Sequence, residues 1–447
     1  MLNRIGKISL IILFLLTSTS LADDWPQYLG PNRNSTSDQK NLLRSWGEDG
    51  PEVLWTVEVG KGFGGPVIKD GKVYLLDRED KVGDILRCFD FSDGKELWRY
   101  AYDAPGTVNF PGSRSVPIVE DNFVYSCGHN GDLYCLDINT QKPVWNKNVW
   151  TDFGGSAGGG SPRGAGPADR FPTWAITQNP LIYGDLLMVA SQAPDAGVVA
   201  YDKLTGTVKW KTPSLGYVGY VSPAIVKVDG EDHVVMITPS TNPFRRTSPD
   251  ENKLGTIVGI EPLTGKILWE YDKWHCHIPV PSAVDAGNNK VLVVGGYELG
   301  AVMIEVEKKA EGGYDVSELF KHNEFGDQTK PPILHDGYFY AQFSTNSRRD
   351  SLVCMNMKGE IMWKTRRSPI FDKGSMILAD GLILATDGGT KLYLIEPDPT
   401  EFKPLATADL LRGGRNQNWA PMALADGKLV LRDLTQMKCV NLKTKAP

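Results

Sequence analysis

Apolar residues along this chain come in short runs separated by turn residues, the rhythm of strands rather than helices. The clearest instance is Ile257 to Asp272, IVGIEPLTGKILWEYD: an apolar run, an acid, a Thr-Gly turn, a second apolar run and a Trp. The same hairpin recurs from Leu86 (LRCFDFSDGKELWRY), Leu133 (LYCLDINTQKPVWNKNV), Val198 (VVAYDKLTGTVKWKTP) and, one residue shorter, Leu352 (LVCMNMKGEIMWKTR). A recurring hairpin marks a repeat fold. Each hairpin follows another pair of apolar runs, often joined by Asp-Gly, a tight-turn signal because Gly adopts positive φ without steric cost. These first halves begin at Pro66, Pro117, Pro180, Pro223, Pro281, Pro332, Met376 and Met422.

The units are spaced between 43 residues (Pro180 to Pro223) and 63 (Pro117 to Pro180), near the ~40 to 50 typical of a four-stranded propeller blade. The pattern predicts an all-β, eight-bladed β-propeller. Its two ends support this: the eighth unit stops at NLKTKAP without a Trp strand, while Glu52 to Gly60 (EVLWTVEVG) is a Trp strand without a first half. The N-terminal strand 52–60 is therefore expected to complete the last blade, closing the ring and removing an open sheet edge. The repeated Trp55, Trp98, Trp145, Trp210, Trp269 and Trp363 then pack between blades. Unit five has no Trp and unit seven has Pro404 in its slot, so these two are expected to be looser at the rim.

Other features refine the picture without changing it. Residues 1–22 carry Arg4 and Lys7, the apolar run Ile8 to Leu16 and Ser20-Leu21-Ala22, which reads as a secretory signal. The expectation is an exported periplasmic or extracellular protein, soluble and monomeric, with no membrane-spanning segment. Residues 23–50, opening with WPQYLGPNRN, read as an extended arm or cap with little regular structure, and 51–447 as the propeller. The net charge of −6 is spread without a basic block, which disfavours nucleic acid as partner. Four of the six Cys (Cys88, Cys135, Cys354, Cys439) share one slot of the repeat, a small apolar role. Cys127 and Cys135 flank the Asn130-Gly131 turn, so a cross-strand disulfide is an open alternative.

The hairpin on its propeller frame resembles the PQQ-like β-propeller repeat proteins, over Glu52 to Leu442. That family includes quinoprotein alcohol dehydrogenases and the non-enzymatic propeller of outer-membrane assembly. WPQYLGPNRN also looks like the lead-in of exported PQQ-like proteins. The repeat's Trp and Gly build blades and say little about a cofactor.

Candidate chemistry lies in the segments leading into each innermost strand, which converge at the mouth of a propeller channel. GFGG (62 to 65), PGSRS (111 to 115), DRFPTWA (169 to 175), GYVGYVS (216 to 222), WHCHIPVPS (274 to 282), EFGDQTK (324 to 330), FDKGS (371 to 375) and RGGRNQNWA (412 to 420) are such segments. Arg114, Arg170, Trp174, Trp274, His275, His277, Arg415, Asn416, Asn418 and Trp419 are the candidate ligand-binding residues, Arg for an anion and Trp for a flat ring or sugar face. No catalytic or metal residue is assigned, although His275 and His277 share a face if extended. The Gly-rich run 154–166 lacks a phosphate-loop ending and reads as a face loop. The resemblance implies that a dehydrogenase would need PQQ with calcium, a pair of adjacent Cys and an Asp base. No adjacent Cys pair is present, and Asp285 and Asp327, near the right face, are equally explained as turn residues. The expected function is a non-catalytic binding or scaffold propeller for a protein, polymeric or small-molecule ligand. The alternatives are a PQQ-dependent oxidoreductase and a glycan-binding or glycan-active propeller.

Overall fold

A computed structural model describes residues 24–107, 110, 112–156, 171–216, 219–239, 256–274, 276–413 and 417–444. The expectations placed on the signal segment 1–22 fall outside these residues. Eight four-stranded antiparallel blades form a ring, each running from an innermost to an outermost strand. Blade one comprises Val67–Lys69, Lys72–Glu79, Gly83–Asp90 and Glu96–Asp103. Blades two to seven begin at Ile118–Glu120, Leu181–Tyr183, Ala224–Val228, Val284–Asp285, Ile333–His335 and Met376–Ala379. Blade eight takes Ala423–Ala425, Lys428–Arg432 and Gln436–Asn441 from one end of the chain and Val53–Glu58 from the other. Val53 pairs with Val440 and Glu58 with Gln436, so the ring closes as the repeat predicts.

The hairpin sequence is explained by one row of residues. In each copy the Trp lies opposite a small residue, at the point where the pairing slips by one: Trp98 opposite Cys88, Trp145 opposite Cys135, Trp210 opposite Ala200, Trp269 opposite Gly259, Trp363 opposite Cys354 and Trp55 opposite Cys439. The ring lies over that position, so a large residue there would collide with it; a Cβ on Gly259 would stand 2.0 Å from Trp269. The indole then reaches the next blade. Trp55, Trp145, Trp210 and Trp363 donate Nε1–H to Phe91, Lys203, Pro262 and Asp398 carbonyls at 2.8 to 3.0 Å. Gly94, Gly206 and Gly265, at positive φ in the following turn, lie beneath Trp55, Trp145 and Trp210. The Thr-Gly of the repeat thus serves both its own turn and its neighbour's Trp.

The register fills one slot that lacks a Trp and corrects another. In blade five Phe320 lies opposite Met303 and covers Gly359, so an aromatic does fill the slot. In blade seven the slot belongs to Ala406, opposite Leu394, while Pro404 lies one step beyond the slip. Cys127 pairs with Leu133 and Cys135 with Tyr125, so the two sulfurs are not cross-strand partners, and all six Cys are buried thiols.

Antiparallel order gives the ring two unlike faces. One, the mouth face, carries the segments that lead into the innermost strands; the other carries the turns after those strands, such as Asp70-Gly71 and Asp380-Gly381. The arm is more ordered than expected: Trp25 bridges to Ile68, and Thr36–Ser37 pairs in parallel with Met376–Ala379. Among the described residues, no helix is long and apolar enough to cross a membrane.

Candidate functional site at the channel mouth

Around blades two to five a Ser or Asn stands beside the Pro that opens each unit (Asn179, Ser222, Ser282), and these side chains stitch that part of the mouth together. Proline has no N–H to offer, so neighbouring polar side chains tie the blades instead. Asn179 Oδ1 accepts Val116 N–H from blade two at 2.7 Å. Its own N–H and Nδ2 donate to Ser222 Oγ of blade four at 2.8 and 3.0 Å. Ser282 Oγ of blade five donates to the Ser222 carbonyl at 3.0 Å. These bonds tie blades two to five to one another at the mouth.

Inside this rim lies a cavity of about 200 Å³. Its wall takes Phe63 from the first lead-in, Phe110 and Arg114 from the second, Trp174 and Thr177 from the third, and Tyr220 from the fourth. Ile278, Val280 and Tyr297 come from blade five, Gln328 to Lys330 from the sixth lead-in, and Trp419 and Pro421 from the eighth. Tyr28, from the N-terminal arm, completes it. Trp419 stacks on Phe63 at 4.9 Å and 26°, and Trp174 packs at 5.2 Å from Tyr220.

Two cations enter this aromatic wall. Arg114 donates Nη1–H to the Trp174 carbonyl at 2.9 Å and lies 5.9 Å from the Phe63 ring centre. Burial lowers its pKa to about 10, which leaves it charged at neutral pH. Lys330 donates Nζ–H to the Trp419 carbonyl. Burial lowers its pKa to about 8, against the attraction of Asp327. Among the described residues the lining contains no Asp or Glu. A flat anion is the ligand such a wall suits: rings meet its faces and the cations its charged edge.

The candidate residues read from the sequence divide. Arg114, Trp174 and Trp419 line the cavity. Trp274 does not; it is 4 % exposed and belongs to the apolar cluster of blades three to five. Asn418 is also buried, and its amide donates to the Gly389 and Arg412 carbonyls, holding the segment rather than facing a ligand. His277 is not among the lining residues; it lies 5.9 Å from the Tyr297 ring, and burial lowers its pKa. Arg170, His275, Arg415 and Asn416 lie outside the described residues, as does most of the Gly-rich run 154–166. Asp285 lies at the turn after the fifth innermost strand, on the opposite face, accepting Lys227 and Gly287 N–H. Asp327 is on the mouth face but buried, its oxygens taken by the N–H groups of Thr329, Lys330 and Gln342; burial pushes its carboxyl up to about 6.

Tyr28, Tyr297 and Lys330 were missed among the candidates. Lys330 belongs to a quoted lead-in and was findable by its place before Pro331. Tyr297 sits in a turn between the second and third strands of blade five, which a search of lead-ins passes over, and Tyr28 is far away in sequence.

Comparison with known proteins places the chain. A family model described as outer membrane protein assembly factor BamB matches residues 32–158 and 81–310. The quinoprotein ethanol dehydrogenase of Pseudomonas aeruginosa is 29% identical over 178 residues, 38% of this chain and 24% of that protein. The quinate/shikimate dehydrogenase (quinone) of Acinetobacter baylyi is 27% identical over 333 residues, 60% of this chain and 39% of that one. The matched stretches thus span well under half of these relatives' own length. The quinohemoprotein alcohol dehydrogenase structure from Comamonas testosteroni superposes with a TM-score of 0.63 at 14% identity, covering 95% of this chain and 81% of that one, a likeness of fold. With the family match extending over more than half of the residues and the Trp hairpin repeated around eight blades, the chain belongs to the PQQ-like β-propeller family.

Proposed function

We propose that this chain is a binding propeller without catalysis of its own, whose channel mouth takes a flat anionic ring, free or carried by a larger partner on that face. The observation that supports it is the wall itself: the Phe63–Trp419 stack beside Arg114 and Lys330, with no carboxylate among the described lining residues. The cavity, about 200 Å³, lies below the roughly 300 to 1,000 Å³ of drug-sized sites, which favours a small ligand. A glycan would use the aromatic faces but leave the two cations without a role. The leader-like 1–22 supports a place outside the cytoplasm.

The quinoprotein relatives favour a second reading, a PQQ-dependent dehydrogenase. The wall fits one half of that requirement, since PQQ is a flat polycarboxylate. It does not fit the other: calcium takes six to eight oxygen ligands, commonly carboxylates, and the nearby Asp327 already accepts three backbone N–H groups. Titration of the protein with PQQ, with and without Ca²⁺, alongside alcohol-dependent dye reduction, separates the readings. No turnover is expected with or without Ca²⁺; calcium-dependent turnover would overturn the non-catalytic reading.

A further inference from the structure

The N-terminal arm has a path that only the channel interior allows. Asp24 begins at the turn face, where its carboxylate meets Lys69 Nζ at 2.8 Å and Asp70 N–H at 3.2 Å. Trp25 exchanges two 2.9 Å backbone bonds with Ile68 of blade one, and the Pro26 carbonyl accepts Val119 N–H of blade two at 2.9 Å. The chain then folds over on itself through turns that bond Gly30 to Gln27, Arg33 to Gly30 and Ser35 to Leu29. Gly30 has φ +82° and lies against the Trp25 ring, where a Cβ would stand 2.9 Å away. At the crest, Arg33 donates to the carbonyls of Pro180 (2.9 Å) and Pro223 (3.3 Å), the residues just before the innermost strands of blades three and four. The arm returns along blade seven through Thr36–Ser37, and Gln39 bonds Leu424 and Gly427 of blade eight. The arm touches the innermost strands of blades one, two, seven and eight and the residues just before those of blades three and four, from the turn face up to the mouth ends.

Tyr28 is carried on this loop. It is 6 % exposed, it packs in one apolar cluster with Val67, Val116 and Val119 of blades one and two, and it lines the mouth cavity. The Arg33 guanidinium lies 5.9 Å from its ring centre. A propeller ring leaves a central channel, and a hole open at both ends cannot enclose most of a small ligand's surface as binding sites do.

The geometry points to Tyr28, held by Arg33, as the floor of the ligand site and the residue that limits ligand length. This inference rests on the binding reading given above and adds that the arm, not the blades, sets the depth of the cavity. A ligand enters and leaves by the mouth face alone, and a longer ring system meets the phenol edge.

The test uses the full chain, its Tyr28→Ala and Tyr28→Phe variants, and three flat anions of increasing length: benzoate, 2-naphthoate and anthracene-2-carboxylate, titrated by calorimetry. Tyr28→Ala should shift the affinity ratio toward the three-ring probe by about tenfold or more, the scale of a changed apolar contact. Tyr28→Phe should keep the wild-type ratio. An unchanged ratio in Tyr28→Ala, with binding intact, overturns the inference. Hydrogen exchange of the arm is read in parallel and needs no ligand. The Trp25 and Leu43 amides, bonded to Ile68 and Leu442, should be protected as long as blade amides, and exchange within seconds overturns the plug. If no probe binds any of the proteins while the arm is protected, the ligand reading fails and the plug is upheld.

Discussion

Replacing Trp55 by Ala attacks the indole by which blade eight, completed by the N-terminal strand, is clasped to blade one. Trp55 is 6 % exposed, donates Nε1–H to the Phe91 carbonyl at 2.9 Å, and covers Gly94 at φ +76° with ring atoms 2.8 to 3.0 Å from where a Cβ would be. A buried Trp covers ~150 to 250 Å², which at ~25 cal/mol/Å² gives an upper figure of ~4 to 6 kcal/mol. Truncations of such rings to Ala cost ~3 to 5 kcal/mol. With an unfolding entropy of ~2.1 cal/mol/K per residue over about 390 propeller residues, that corresponds to a Tm lower by ~4 to 6 °C. Trp98 supplies the control: it is only half-buried and packs on Tyr74 of its own blade at 6.0 Å. In differential scanning calorimetry Trp98→Ala should cost less than about half as much as Trp55→Ala. Equal losses would refute the argument that the indole, clasped on the next blade's Gly, carries the closure.

Gly259→Ala should destabilise by about 1 to 3 kcal/mol, the cost of overpacking, because its Cβ would meet Trp269 at 2.0 Å; chemical denaturation measures this, and a neutral effect would contradict the slot argument. Lys330 should give anion affinity an alkaline limit, with binding falling as pH rises through about 8 rather than near 10.5, and Lys330→Met should abolish that limb in calorimetric titrations. Stability runs the other way: the folded pKa of Lys330 lies below the unfolded one, so the unfolded chain holds more protons from about pH 8 to 10.5 and unfolding free energy from this residue rises across that window. Arg33→Ala removes the two bonds to the Pro180 and Pro223 carbonyls and should speed arm exchange with little change in the outer strands.

The blades were legible because their signal is local and repeated. A Trp, a small residue opposite it and a Gly in the next turn recur at fixed spacing, and each is dictated by the same collision and the same clasp. Ring closure was legible as well, since half a blade at each end of a repeat chain has one economical solution. Blade seven shows the limit: without a Trp to mark the slip, Pro404 was placed in a slot that the register gives to Ala406. The mouth was legible only in part. The lead-in segments pointed to Arg114, Trp174 and Trp419, but whether a Trp faces the channel or the gap between sheets depends on the backbone direction over two or three residues, and Trp274 went inward. Tyr28 could not be read at all, because its place depends on a loop that threads the ring from the far face.

The central claim is that the channel mouth binds a flat anion through Lys330 and Trp419. It is tested most directly by calorimetric titration of 2-naphthoate into wild-type protein and into the Lys330→Met and Trp419→Ala variants at pH 7. Saturable binding that either variant weakens by at least about tenfold, the ~1.4 kcal/mol of one good charged or stacking contact, is the predicted result. Equal affinity in all three proteins, or no saturation in the wild type at millimolar probe, would contradict it.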